Sequence, residues 1–363
     1  MKVLMISTDR SILITGSEAH ARMLEYGALV EELHIIIFSR GQDAQEHAGN
    51  VFLYPTNSKN KLKYIFDAVR IAKTISHFDI VTTQDSFETG LAGWLIAQRN
   101  NTALQLQIHA DFLSPYFARE SLLNRIRVLI AKFLLPRASG IRVVSERIKN
   151  SLKAKSYKLQ AEPTVLPIFV DTEQLKNAPV TLDLHKKHSQ FDFIIFMASR
   201  LTKEKNIPLA IEAFAEAVRK HPRMGLVIVG DGPERKNLER EIAVRILQSN
   251  VVLKRWEGLM ASCYKTADVF LLTSNYEGYG RTVVEAQACG LPVVMTDVGV
   301  AGDFIVNKEN GLVVPVGDAH ALADAIVRVK EKKAALKARV FHQEKSEYLR
   351  AYRRAWEACG SRD

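Results

Sequence analysis

Short β-branched apolar runs alternate with longer stretches of helical period along most of this sequence. Val3–Ile6 is followed by a helical pattern over 18–31 and then by Leu33–Phe38, which predicts a βαβ opening. Val51–Tyr54, Ile80–Thr83, Leu104–Ile108, Ile141–Val144 and Thr164–Leu166 predict further strands, with helical segments between most of them. Such an alternation predicts a doubly wound parallel sheet. A polar stretch over 171–190 has few strand formers and reads as a linker, after which the alternation restarts at Phe193–Met197. Leu226–Val229, Val251–Leu253, Val269–Leu272, Val293–Thr296 and Leu312–Val314 then predict a second parallel sheet, covered by helices such as 208–220 and 319–329. Past Lys330 the chain is charged and helical, and Tyr348, Tyr352 and Trp356 recur every four residues. This aromatic stripe needs a surface to cover, either on its own domain or back on the first half.

Composition narrows the picture. The 363 residues are roughly twice a typical domain of about 150, so two domains are expected. Hydrophobic residues at 47% and charged residues at 25%, without low complexity or a repeat period, exclude a disordered chain and a solenoid. Cys263, Cys289 and Cys359 are odd in number and match no metal spacing, which predicts reduced thiols and a cytoplasmic protein. The N-terminus reaches polar Ser7, Thr8, Asp9 and Arg10 too early for a signal sequence, and no apolar run approaches the ~18 residues of a membrane span.

The net charge is +10, and the segment 119–158 alone carries eleven Lys/Arg against Glu120 and Glu146, a net +9. Within it Leu122, Leu123, Ile126, Leu129, Ile130, Phe133 and Leu134 recur at helical spacing, punctuated by Arg125, Arg127, Lys132 and Arg137. Arg147, Lys149, Lys153, Lys155 and Lys158 follow. Two readings stand: an interfacial helix that holds 121–158 on the anionic inner face of a membrane, or a stripe packed on the first sheet with a solvated basic face. No nucleic-acid-binding motif is visible, so nucleic acid is not an expected partner.

Candidate chemistry concentrates in 267–292, ADVFLLTSNYEGYGRTVVEAQACGLP. A strand over 268–272 runs into a Gly-containing loop at 275–280, and a helix follows to about Cys289, closed by Gly290 and Pro292. Open α/β sheets bind ligands where the carboxyl end of a strand delivers the chain to a helix N-terminus, whose free N–H groups suit phosphate. Glu277 precedes that N-terminus and Glu285 lies on the helix, about 12 Å apart if the span were wholly helical. One carboxylate suits sugar hydroxyls and the other ribose hydroxyls, with a diphosphate on the amides between; Gly278 and Gly280 let the backbone approach. Arg200 and Lys205, five residues apart on the exit loop of an earlier strand, suit a pyrophosphate.

The run EGYGRTVVEAQACGLPVV resembles the E-x7-E signature of the family 4 retaining glycosyltransferases. The resemblance continues through SRLTKEKNIPLAIEAF, VGDGPE, YKTADVFLLTS and NGLVVPVGD, over about Ser199–Val329. It implies a GT-B fold, two Rossmann-like domains facing across a cleft. Residues 1–175 would bind the acceptor and 190–340 a UDP- or GDP-sugar, with a helix at about 345–363 crossing back to the first domain. It implies Glu277, Arg200 and Lys205 as catalytic residues, and Glu285, Gly278, Tyr279, Gly280 and Arg281 as donor-binding ones. Gly16, in Thr15-Gly16-Ser17-Glu18, stands where the family has a Gly-Gly pair near the phosphates, and His109 in LQIHADF resembles its active-site His. The implied activity is metal-independent, retaining transfer of a hexose to a cell-envelope glycan or lipid-linked acceptor.

Three positions depart from the family pattern. Pro167-Ile168-Phe169-Val170-Asp171 replaces a Pro-Asn-Gly-Val-Asp turn, Arg255 stands where Gly is common beside the nucleobase, and Asp303 replaces a Glu. No D-x-D pair occurs, and no His/Asp cluster has metal spacing along the chain, so no metal is expected. The alternatives are another nucleotide-sugar enzyme such as an epimerase, a transferase with a soluble small-molecule acceptor, and a non-enzymatic binding module, which the intact charged set opposes.

Overall fold

The structure, a computed structural model, describes residues 1–360 apart from 156, 257, 259, 333–335 and 341. Ser156 of the basic segment and 361–363 of the C-terminal segment therefore lie outside the described residues. The chain divides into two units, Met1–Pro167 together with the segment from Glu344 onward, and Ile168–Gln343.

The first unit holds β1 (Lys2–Ser7), β2 (Glu32–Ile37), β3 (Glu46–Ala48), β4 (Val51–Pro55), β5 (Ile80–Thr83), β6 (Ala103–Ile108), β7 (Gly140–Val143) and β8 (Thr164–Val165). They form one sheet in the order β3-β4-β2-β1-β5-β6-β7-β8. Every pairing is parallel except that of β3 with β4. In β1, β2, β5, β6 and β7 nearly every residue is buried, as parallel strands covered on both faces require.

The second unit holds β9 (Phe193–Ala198), β10 (Met224–Val229), β11 (Val251–Lys254), β12 (Val269–Leu272), β13 (Val293–Thr296) and β14 (Gly311–Val314), wholly parallel in the order β11-β10-β9-β12-β13-β14. A core including Ile195, Phe214, Ile228, Leu271 and Ile326 joins this sheet to the helices Ile207–Lys220 and Ala319–Lys330.

The stretch 171–190 is not a free connector. It carries the helices Thr172–Asn177 and Leu184–Lys187 and is anchored within the second unit. Thr181 N donates to Ser262 Oγ at 3.0 Å, Leu184 N to Thr266 Oγ1 at 3.1 Å, and His185 Nε2 lies 3.0 Å from Asp268 Oδ2. Its polar residues act as caps and tethers, which is why composition alone reads as a linker, and the boundary falls at Pro167/Ile168 rather than between 175 and 190.

The C-terminal helix Lys345–Gly360 packs on β5, β6 and β7. Tyr352 stacks on Tyr26 with ring centroids 4.2 Å apart, and Trp356 meets Tyr352 edge-on at 4.9 Å. Tyr348, Tyr352 and Trp356 are all buried, so the stripe spaced by four is the face that closes the first unit.

The helix Leu122–Leu134 presents a different picture. Asn124, Ala131 and Leu134 face inward, while Leu122, Leu123, Ile126, Leu129 and Phe133 are 72, 51, 46, 65 and 41% exposed. Arg125 and Lys132 stand exposed beside that stripe. Downstream, Lys149 and Lys153 are both engaged by Glu162, at 3.1 and 2.7 Å, and Lys155 Nζ donates to Leu113 O. Among the described residues no helix is long and apolar enough to cross a membrane.

Candidate active site

In the second sheet the strand order runs outward from β9 through β10 to β11, then resumes on the other side of β9 with β12. The β9–β12 junction is thus a topological switch point, where the exit loops diverge and leave a crevice at the carboxyl ends of the strands. Arg200 and Lys205 leave β9 there, and Glu277 leaves β12. Lys205 Nζ lies 2.5 Å from Glu277 Oε1, with side-chain exposures of 16 and 12%. Ser274 Oγ donates to that same oxygen at 2.8 Å, and among the described residues Oε2 has no hydrogen-bond partner.

The two exit loops are stapled together. Thr273 Oγ1 donates to Lys205 O at 2.9 Å, Asn206 Nδ2 to Asn275 Oδ1 at 2.9 Å, and Asn275 N to Glu204 O at 2.8 Å. Arg200 is more exposed and is held by Glu204 at 2.8 Å. The roles of Thr273, Asn275 and Glu204 are not legible locally, because each acts on a loop about 70 residues away, whereas Ser274 supports Glu277 from three residues upstream.

The chain turns from Glu277 into the helix Arg281–Ala288 through Gly280, whose φ of +97° is a conformation that side chains resist. Gly278, Tyr279 and Gly280 are buried, and burial, with Asp303 nearby, pushes the Tyr279 hydroxyl up to about 12. On the helix, Glu285 is gripped on both oxygens: Arg281 Nε lies 2.7 Å from Oε1, and Tyr264, itself buried, donates to Oε2 at 2.8 Å. Tyr264 is a further residue the sequence does not reveal, since it comes from the preceding helix Met260–Thr266. Arg255 follows β11 and is 76% exposed, with Nε 3.4 Å from Asp231 Oδ2. In Gly230, before Asp231, a Cβ would meet Ser199 O at 1.8 Å, so this glycine lets the β10 and β9 exits pack together.

The remaining two site residues belong to the first unit. His109 follows β6 with its side chain exposed; its Nε2 lies 3.2 Å from Gln107 Oε1, and partial desolvation of the ring, with Arg142 and Arg22 nearby, holds the imidazole below its ordinary range. Gly16 (φ +84°) precedes Ser17, which caps the helix Glu18–Gly27 by accepting from His20 N at 3.0 Å. Beyond the carboxyl ends of β1, β2 and β4 the same unit contains a cavity of about 800 Å³, lined by Arg10, Arg40, Gln42, Asp43, Asn57 and Lys59 among others.

One carboxylate–imidazole group escapes the sequence reading: Glu216, His320 and Asp324 offer ligand atoms within 4.8 Å of one another. It is assembled from two helices, so sequence spacing hides it. His320 is 72% exposed and already paired with Glu216 at 2.8 Å, and the group lies on the helices rather than at the strand ends.

Residues 15–174 match the family model described as Glycosyltransferase Family 4, and 183–354 that described as Glycosyl transferases group 1. The chain belongs to the family 4 glycosyltransferases. It is therefore an enzyme of that class, and its fold is GT-B. A UDP and glucose complex of Anabaena HepE superposes with a TM-score of 0.71 at 20% identity, over 99% of this chain and 95% of that one. An Escherichia coli UDP-Gal:alpha-D-GlcNAc-diphosphoundecaprenol alpha-1,3-galactosyltransferase is 26% identical over 80% of this chain and 77% of its own length. An alpha-monoglucosyldiacylglycerol synthase of Streptococcus pneumoniae is 27% identical over 72% of this chain, but only 60% of its own length is matched.

Proposed function

We propose that this family 4 glycosyltransferase moves a hexose, with retention of configuration and without a metal, from a UDP- or GDP-sugar to a cell-envelope glycan or lipid-linked acceptor. The observation that carries this reading is the convergence of Arg200 and the Lys205–Glu277 pair on the switch point beside the helix Arg281–Ala288. The diphosphate lies on the amides around Gly278–Arg281 and on Arg200 and Lys205, which offset the charge that grows as it leaves. The open Oε2 of Glu277 accepts from sugar hydroxyls, and Glu285, oriented by Tyr264 and Arg281, accepts from the ribose. Arg255 lies toward the base. The acceptor oxygen bonds to the anomeric carbon on the face from which the phosphate departs; the carbon–oxygen bond to phosphate breaks, and the departing phosphate oxygen takes the acceptor proton. His109 and Gly16 contribute from the first unit, whose cavity with Arg10, Arg40 and Lys59 suits an anionic acceptor.

An acceptor embedded in a bilayer fits the exposed Leu122–Phe133 stripe, and we place that helix on the anionic inner face of a membrane. The metal-free reading rests on the cations already at the switch point. Nucleotide release from UDP-glucose and GDP-mannose, followed in EDTA, tests it: turnover unchanged by chelator is expected, and a complete loss restored by Mg²⁺ would contradict it. Isomerised donor in place of released nucleotide would favour an epimerase.

A further inference from the structure

Strand β6 places Gln105 and Gln107 on one face of the sheet, and His109 follows at the same period of two. The C-terminal helix covers that face. Gln105 and Gln107 are 2 and 1% exposed, and buried amides are costly unless their donors and acceptors are met. A directional chain meets them. Gln105 Nε2 donates to Ala355 O at 2.6 Å, Thr82 Oγ1 donates to Gln105 Oε1 at 2.9 Å, and Gln107 Nε2 donates to Thr82 Oγ1 at 2.9 Å. The Tyr352 hydroxyl spans the Gln107 amide, 2.9 Å from Nε2 and 3.1 Å from Oε1.

Arg142 Nη1 donates to Gln107 Oε1 at 2.8 Å. A guanidinium can only donate, so the amide atom facing it is the oxygen, and the amide cannot be turned over. That oxygen is the one 3.2 Å from His109 Nε2. A neutral imidazole nitrogen facing an acceptor carries the ring proton, and Nδ1 is left with its lone pair. Among the described residues Nδ1 has no hydrogen-bond partner. Arg142 is 3% exposed and, among the described residues, has no carboxylate within ion-pair distance. Leu166 O at 3.2 Å, Tyr348 Oη at 3.3 Å and the Tyr352 ring at 4.5 Å hold it instead. The buried Arg142 cation next to Gln107 opposes a second proton on the imidazole.

We propose that Gln107, locked by Arg142 and Tyr352, is a positioning residue that fixes His109 in the Nε2–H tautomer and so presents Nδ1 as an acceptor to a substrate hydroxyl. The substrate half rests on the reading of His109 as an active-site residue; the tautomer does not. Long-range ¹H–¹⁵N correlation spectra of the full chain labelled at histidine, near neutral pH, report the tautomer directly, with His109 assigned by its loss in His109→Gln. A single Nε2–H pattern is expected in the wild type, kept in Gln107→Glu, which retains the acceptor, and replaced by a tautomer mixture in Gln107→Leu. A mixture or an Nδ1–H pattern in the wild type would overturn the proposal whether or not the variants fold. Near wild-type nucleotide release by His109→Gln would overturn the substrate half alone, leaving the tautomer standing.

Discussion

Arg200→Ala and Glu277→Ala each lower kcat/KM for the donor by about a hundredfold to a thousandfold, the loss expected when one charge contact to a developing diphosphate or to the reacting sugar is removed, about 2.7–4 kcal/mol. The two variants differ in what else they disturb. Arg200 is 69% exposed and, among the described residues, paired only with Glu204, a surface contact worth little to the fold, so Arg200→Ala leaves the melting temperature near that of the wild type. Glu277 is 12% exposed, and its loss strands the half-buried ammonium of Lys205, so Glu277→Ala lowers stability as well as turnover. Steady-state kinetics beside thermal melts separate the effects. Turnover near wild type in Glu277→Ala would remove the site assignment.

Vesicles containing phosphatidylglycerol bind the wild-type protein, and Leu129→Glu/Phe133→Glu weakens that binding about a hundredfold. Leu129 stands exposed on the outer face of its helix, while Phe133 is partly exposed and meets the Trp94 ring edge-on at 5.1 Å, so thermal melts beside the binding assay separate lost membrane contact from lost packing. Each large apolar side chain buried in the interface contributes about 1.5 kcal/mol or more, and each cation near an anionic leaflet about 1 kcal/mol. Arg125 and Lys132 are the cations placed to supply the second contribution. Charge reversal at Lys149 and Lys153 is expected to do less, because Glu162 already engages both. Co-sedimentation measures this; equal binding to neutral and anionic vesicles, or no change in the double variant, would leave a soluble acceptor as the better reading.

The helix that raises this question shows how far a sequence can be read. Its seven apolar residues at helical spacing were plain, but which of them face outward depends on the neighbouring helices: Leu134 turns inward and Leu129 does not. The strands were legible because parallel strands buried on both faces appear as unbroken apolar runs. β3 was not, since Glu46-His47-Ala48 is short, polar and held only as an antiparallel edge on β4. Glu277, Glu285 and their glycines could be read because they occupy one continuous strand–loop–helix segment. Lys205 could be read as a cation on an exit loop, but its pairing with Glu277 required knowing that β9 and β12 are neighbours. The amides of β6 sit in a strand whose polar alternation makes sense only under a helix some 250 residues later, so their role was invisible before the fold.

The central claim is that a nucleoside diphosphate sits at the β9–β12 switch point with its ribose on Glu285. Calorimetric titration of UDP and GDP into the full chain, in EDTA, tests it most directly. Saturable binding of at least one nucleotide is predicted, weakened at least tenfold in Glu285→Ala, which corresponds to about 1.4 kcal/mol or more. No binding of either nucleotide by the wild type, or an unchanged affinity in Glu285→Ala, would contradict the account.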